Sequence, residues 1–88
     1  MNIPTMVKIG GHILKVREVE FGDDDELCGD NSYTNGEIRL NKKLPRTQKE
    51  ASFIHEAMHT MNTTLDHELL DSLAEQIYQF LKDNNLLK

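Results

Sequence analysis

The feature that most constrains the fold is a pair of histidines four residues apart, with a glutamate directly after the first, in the segment His55-Glu56-Ala57-Met58-His59. Residues four apart in a helix lie on one face, one turn from each other, so both imidazole rings could reach one metal ion. The glutamate is rotated from His55 by roughly 100° in a helix of about 3.6 residues per turn. Its carboxylate would therefore lie beside such an ion without binding it.

The residues around this pair predict a helix. Pro45 precedes it, because proline cannot donate the hydrogen bond that would extend a helix backwards. Thr47 and Glu50 have the spacing of a capping box, which predicts Thr47 as the N-cap. Apolar side chains then recur every three or four residues and form one stripe: Ala51, Ile54, Ala57, Met58 and Met61. The histidines border this stripe, where a site between two elements would be built.

The pattern H-E-x-x-H is the signature of zinc metallopeptidases, in which the metal makes a water molecule acidic and the glutamate takes its proton. It predicts His55 and His59 as zinc ligands and Glu56 as the general base. The alternative is a solvated helix face that binds no metal. Three of the four histidines lie between positions 55 and 67, which favours the metal site.

Composition narrows the class of protein. A chain of 88 residues predicts one domain, 1–88, and a formal charge of −5 argues against nucleic-acid binding. The single cysteine excludes an internal disulfide and suits a reducing compartment. The N-terminal residues lack the features of a signal peptide, and no apolar run approaches the ~20 residues of a membrane span. We therefore expect a cytoplasmic protein with no membrane or nucleic-acid partner.

The first half of the chain predicts two β-hairpins, because strand-like segments flank short turns that contain glycine. These segments are 7–9 and 12–19 around Gly10-Gly11, and 27–33 and 37–41 around 34–36. Segment 27–33 is weakly apolar and contains Gly29, which predicts an edge strand. Cys28 in that segment is expected to be a small buried residue.

Three polar features of this half have plain structural explanations. The acidic segment 20–26 predicts a solvated loop, and His12 beside the first turn is expected to be exposed. A basic cluster comprises Arg39, Lys42, Lys43, Arg46 and Lys49. It is either a solvated strand end and loop or a patch that attracts an acidic partner.

A second helix is predicted from about Asp66 to Lys82, with Asp66 or Thr64 as its N-cap. Its expected buried face comprises Leu69, Leu70, Leu73, Ile77, Phe80 and Leu81. Catalytic zinc usually has three protein ligands, and the first turn of this helix supplies three candidates. His67 falls at the edge of the buried face, Glu68 points to water, and Asp66 points inward but is the expected cap. His67 is therefore the predicted third ligand, with Glu68 and Asp66 as alternatives. Asp71, one turn on, is placed to accept a hydrogen bond from the His67 ring.

Residues 27–82 resemble the ImmA/IrrE-like metallopeptidases, and especially small phage and prophage proteins of that kind. The resemblance lies in the motif helix, in Ile38-Arg39-Leu40-Asn41 before it, and in the second helix with Leu73-Ala74. In that family the third ligand is usually a glutamate seven residues before the alanine of a Phe-Ala pair. Leu73-Ala74 stands for that pair, so the resemblance implies His67 as the ligand. Histidine at this position departs from the usual glutamate.

Together these features predict an α+β fold, a minimal zincin in which a small antiparallel sheet of hairpins packs on two helices. The predicted function is hydrolysis of a peptide bond with Zn²⁺ held by His55, His59 and His67, and with Glu56 as general base. The substrate would be a protein or peptide, such as a phage or host regulator, that adds as a strand near residues 28–33. The alternative is a zinc-binding module that binds a regulatory protein without cleaving it, since so short a chain leaves little room for a cleft.

Overall fold

The computed structural model describes residues 1–21, 28–32, 35–62, 64 and 66–86. In chain order the elements are β1 Met6–Ile9, β2 His12–Val19, β3 Gly29–Ser32, β4 Glu37–Asn41, α1 Arg46–Met61 and α2 His67–Asp83. The predicted α+β class, with one small sheet and two helices, is confirmed. Most of the acidic segment 20–26 lies outside the described residues, as do Tyr33 and Thr34 of the second predicted hairpin.

The sheet has the strand order β1-β2-β4-β3 and is mixed. β1 pairs with β2, and β3 with β4, in antiparallel hairpins as predicted. β2 and β4, however, run parallel, with Val16 beside Ile38, so the prediction of a purely antiparallel sheet is wrong. The reason is that β4, with its buried Ile38 and Leu40, takes the central place while the polar β3 stays at the edge. β3 runs in the opposite direction to β2, so its antiparallel hairpin partner β4 runs in the same direction as β2, beside which it lies.

Glycines set the two hairpin turns. Gly10 and Gly11 have φ values of 58° and 83°, which matches the two-residue turn that connects β1 to β2. Gly36 has φ 61° before β4 begins. These left-handed conformations are ones that glycine adopts without steric cost, so the turn residues determine the strand register.

The core lies between the sheet and α1. Leu14 and Val16 of β2 and Ile38 and Leu40 of β4 are buried on one face of the sheet, and Phe53 of α1 packs against them. Among the described residues α2 contacts α1 and no strand. The domain therefore stacks in the order sheet, α1, α2, and the α1–α2 seam is open to solvent along part of its length.

The start of α1 differs from the prediction. The N-cap position is Pro45, and no side chain caps the first turn, so Thr47 is not the cap. Glu50 cannot complete a capping box because its carboxylate is buried and contacts other groups. It lies 3.0 Å from the amino group of Met1 and accepts a 3.0 Å hydrogen bond from the Tyr78 hydroxyl.

The start of α2 was predicted correctly, but the rotation of the helix about its own axis, which decides its buried face, was not. Asp66 is the N-cap, and its Oδ2 accepts a 3.1 Å hydrogen bond from the backbone N–H of Leu69. The buried residues are Leu70, Ala74 and Tyr78. Four residues of the predicted buried face are instead between 37% and 60% exposed: Leu69, Leu73, Ile77 and Phe80. The apolar face of α2 is wider than the surface that α1 alone can cover. The small side chain of Ala74 and the Tyr78–Glu50 hydrogen bond determine which half of that face packs on α1.

Most of the basic cluster is matched by acids. Arg39 Nε donates a 2.8 Å hydrogen bond to Asp30, and Lys49 Nζ lies 2.7 Å from Glu18 Oε1. Arg46 lies 4.0 Å from Glu50 Oε2. These ion pairs support the structural explanation of the cluster. His12 is exposed, as predicted. Neither α1 nor α2 has the length and apolar character needed to cross a bilayer.

Candidate metal centre

Three imidazole rings converge where α1 and α2 meet. The ring centroids are 5.6 Å apart for His55 and His59, 5.0 Å for His55 and His67, and 5.7 Å for His59 and His67. One ring nitrogen from each histidine lies within 4.8 Å of the other two. The fold therefore brings together the three residues that the sequence predicted as ligands.

Helix geometry explains why these rings meet. His55 and His59 lie one turn apart on α1, as their spacing requires. His67 is the first residue of α2. At ~100° per residue it lies only ~20° around the helix from Ala74, in the middle of the face that packs on α1. The correct rotation of α2 thus places His67 more directly at the seam than the predicted rotation did.

The alternative third ligands lie outside the cluster. The carboxylate of Asp66 accepts the capping hydrogen bond from Leu69, which occupies it at the helix terminus. Glu68 is exposed and is not part of the group of converging side chains. Of the three candidates in this turn, only His67 has the position that a shared ion requires.

The donor set fits zinc. Three neutral imidazoles with one open position are a known arrangement for catalytic zinc. Nitrogens that each lie ~2.1 Å from a tetrahedral ion are ~3.4 Å apart, so small side-chain rotations would close the present spacing of up to 4.8 Å. His67 can make such a rotation because its side chain is 69% exposed. The same nitrogen donors also suit other divalent transition metals.

Glu56 is the buried acid of the site and is 7% exposed. Its Oε1 accepts a 3.1 Å hydrogen bond from Asn31 Nδ2, and its Oε2 lies 3.8 Å from His55 Nε2. Burial, with a smaller contribution from Asp30, raises the pKa of Glu56 to about 7, although the Asn31 hydrogen bond opposes this shift. A carboxyl group with such a pKa can both accept and return a proton near neutral pH.

Sequence reasoning missed Asn31. It lies on the edge strand β3, opposite Ile38 of β4, and its side chain faces the helices. The signal was present in the alternation of strand side chains, because Gly29 and Asn31 share the face that α1 covers. What the sequence does not show is which residue of α1 lies against that face.

His55 has its two ring nitrogens in different environments. Nδ1 lies 2.8 Å from Asp71 Oδ1, whereas Nε2 faces Glu56. Burial lowers the pKa of His55, with Asp71 acting in the opposite direction and the other two histidines adding to the shift. Asp71 was predicted to support His67, but its Oδ2 is 3.7 Å from His67 Nε2, so its closest histidine is His55.

An open groove of about 750 Å³ lies beside His55 and Glu56. It runs between the two helices and reaches the start of β3, and small side chains such as Ala51 and Ala74 line it. The volume is within the range of ligand-binding clefts, so the chain has more room than its length suggested. Cys28 lines the groove and is exposed, which corrects the prediction that it is buried.

No protein-family model matches this chain, and neither curated proteins nor solved structures gave a significant match. The resemblance to ImmA/IrrE-like metallopeptidases therefore stays a prediction that rests on the sequence motifs.

Proposed function

We propose that this chain is a metal-dependent peptidase that binds zinc through His55, His59 and His67 and uses Glu56 as the general base. The observation that carries the proposal is the convergence of three imidazoles from two helices next to a buried carboxylate. A metal scaffold needs the histidines but has no use for a buried acid beside them. Burying that acid costs free energy, and the hydrogen bond from Asn31 offsets only part of it, since burial still raises the pKa of Glu56 to about 7.

Zinc, Glu56 and Asn31 would each have a separate role in hydrolysis. Bound zinc would supply Lewis acidity, which activates a water molecule and polarises the scissile carbonyl. Glu56 would take a proton from that water and later give one to the leaving amine. Asn31 donates a hydrogen bond to one oxygen of Glu56, and the other oxygen lies near His55.

The outer edge of β3 is a reason to propose a peptide as the substrate. β3 pairs with β4 on one side and is the last strand of the described sheet on the other. An extended peptide would add as a further strand there through backbone hydrogen bonds. Asn31 belongs to this strand and contacts Glu56, so a peptide paired with β3 would pass close to the proton acceptor.

Metal binding is tested by comparing His67→Ala with Glu68→Ala. The two residues are neighbours at the start of α2, but only His67 joins the cluster. We expect about one zinc per wild-type chain after reconstitution. His67→Ala should weaken zinc affinity by more than about 100-fold, the upper end for loss of a supporting contact, while Glu68→Ala leaves it unchanged. Affinity is measured by competition with a chromophoric chelator, and equal losses in both variants would contradict the assignment of His67.

Catalysis is tested with Glu56→Gln, which preserves the shape of the side chain but cannot accept the proton. The zinc-loaded wild type is incubated with a peptide library, and cleavage is followed by mass spectrometry. The variant should bind zinc as the wild type does and lose cleavage. Cleavage by Glu56→Gln at the wild-type rate would refute the role of this residue.

One observation favours a second candidate, a zinc-binding module that binds a regulatory protein without cleaving it. The exposed stripe on α2, defined as Leu69, Leu73, Ile77 and Phe80, is an apolar helix face of the kind that partner proteins cover. Zinc binding without any cleavage by the wild type would favour this candidate over the peptidase.

A further inference from the structure

We infer that Asp71 is a positioning residue of the metal centre, which accepts the Nδ1 proton of His55 and so presents the Nε2 lone pair to the metal. This inference rests on the proposed zinc site. It assigns a role to a residue of α2 that acts on a ligand of α1, and it replaces the predicted pairing of Asp71 with His67.

The two ring nitrogens of His55 have different neighbours. Asp71 Oδ1 lies 2.8 Å from Nδ1, which is hydrogen-bonding distance, and Nε2 is directed toward Glu56, 3.8 Å from its Oε2. Asp71 is 3.7 Å from the nearest nitrogen of His67, too far for a direct hydrogen bond. One carboxylate oxygen of Asp71 therefore contacts Nδ1 of His55, and the opposite ring nitrogen is the one that lies near Glu56.

The chemistry of imidazole explains the consequence. A neutral imidazole has one N–H group and one nitrogen lone pair, and either nitrogen can carry the proton. A carboxylate beside Nδ1 stabilises the tautomer with the proton there, so that Nε2 is the free donor. The side chain of His55 is only 11% exposed, so water cannot easily take over this role.

The position of Asp71 also links ligand orientation to helix packing. Asp71 lies one turn after His67 and next to Leu70, which is fully buried against the rest of the domain. When α2 packs on α1, its first turn therefore brings the third ligand, His67, to the site. Its next turn brings Asp71, the acceptor that orients the first ligand, His55.

The experiment compares Asp71→Ala with Glu75→Ala. Both residues are acids on α2, one turn apart, and both line the groove, but only Asp71 contacts His55. Asp71→Ala should weaken zinc affinity by about 10- to 100-fold, the usual effect of removing an acceptor behind a ligand, and Glu75→Ala should stay close to the wild type. Because the Asp71 side chain is 59% exposed, the alanine variant is expected to fold.

A second measurement separates orientation from a general loss of charge. Long-range proton–nitrogen NMR of the zinc-free protein should show His55 with its proton on Nδ1, and Asp71→Ala should give a mixture of tautomers. Asp71→Asn retains an acceptor oxygen and should recover the tautomer and most of the affinity. Wild-type affinity in Asp71→Ala, or an unchanged tautomer, would overturn the inference.

The outcomes distinguish this inference from the proposed function. If the wild type binds no zinc, the metal centre itself is refuted. If the wild type binds zinc and Asp71→Ala binds it equally well, only the role of Asp71 is refuted. If X-ray absorption of the zinc protein shows a carboxylate oxygen that is lost in Asp71→Ala, Asp71 is a direct ligand, and the positioning role is overturned.

Discussion

The rotation of α2 can be tested with two leucines of the same helix. Leu70 is 0% exposed and lies on the face that packs on α1, whereas Leu73 is 39% exposed on the apolar stripe of α2. The expected result is that Leu70→Ala destabilises the domain far more than Leu73→Ala does. Sequence periodicity alone predicts a similar effect for both, because it assigns both residues to the buried face.

The magnitudes follow from burial. A fully buried leucine replaced by alanine loses its transfer free energy and leaves a cavity, which together cost about 2–5 kcal/mol. At the partly exposed Leu73 no enclosed cavity forms, and only part of the ~1.5–3 kcal/mol of burial energy is lost, so about 1 kcal/mol or less is expected. A domain of this size has a stability of roughly 4–13 kcal/mol, so Leu70→Ala removes a large part of it.

The assay is urea unfolding followed by far-ultraviolet circular dichroism, with a chelator present so that metal binding does not add to the free energy of unfolding. The slope of the transition should be the same in both variants. An equal or larger loss in Leu73→Ala would refute the observed rotation and, with it, the explanation of why His67 reaches the site.

Two further predictions concern the surroundings of the site. Gly29→Ala should cost about 1–3 kcal/mol in urea unfolding, because the new Cβ would lie 2.8 Å from the carbonyl oxygen of Arg39, whereas Cys28→Ala next to it should have little effect. Burial alone would raise the pKa of Glu50, but hydrogen bonds from the N-terminal amino group and Tyr78 hold that pKa below its ordinary value of 4.5. The stability due to ionised Glu50 is therefore present above this value and is lost as the pH falls through the folded pKa. The difference in unfolding free energy between the wild type and Glu50→Gln should shrink as the pH falls below about 4.5, and a difference that stays constant there would contradict the reasoning.

Local features of the sequence were sufficient for much of this protein. Strand-like segments around glycine-containing turns predicted both hairpins, and the weak apolar character of β3 predicted its place at the sheet edge. Asp66 has the side chain and position of an N-cap, and it is one. The spacing of His55 and His59 needs nothing beyond a helix to place both rings on one face. Each of these features depends on residues within a few positions of each other in the chain.

Contacts between distant segments decided the rest. The sequence shows that α2 has a wide apolar arc, but only the surface of α1 and the Tyr78–Glu50 hydrogen bond determine which half of the arc is covered. The same packing brings Asp71 to His55, and the edge position of β3 brings Asn31 to Glu56. These partners are separated by 16 and 25 positions in the sequence. Periodicity describes one element at a time, whereas such contacts depend on how two elements dock, and docking depends on the shape and polarity of both surfaces together.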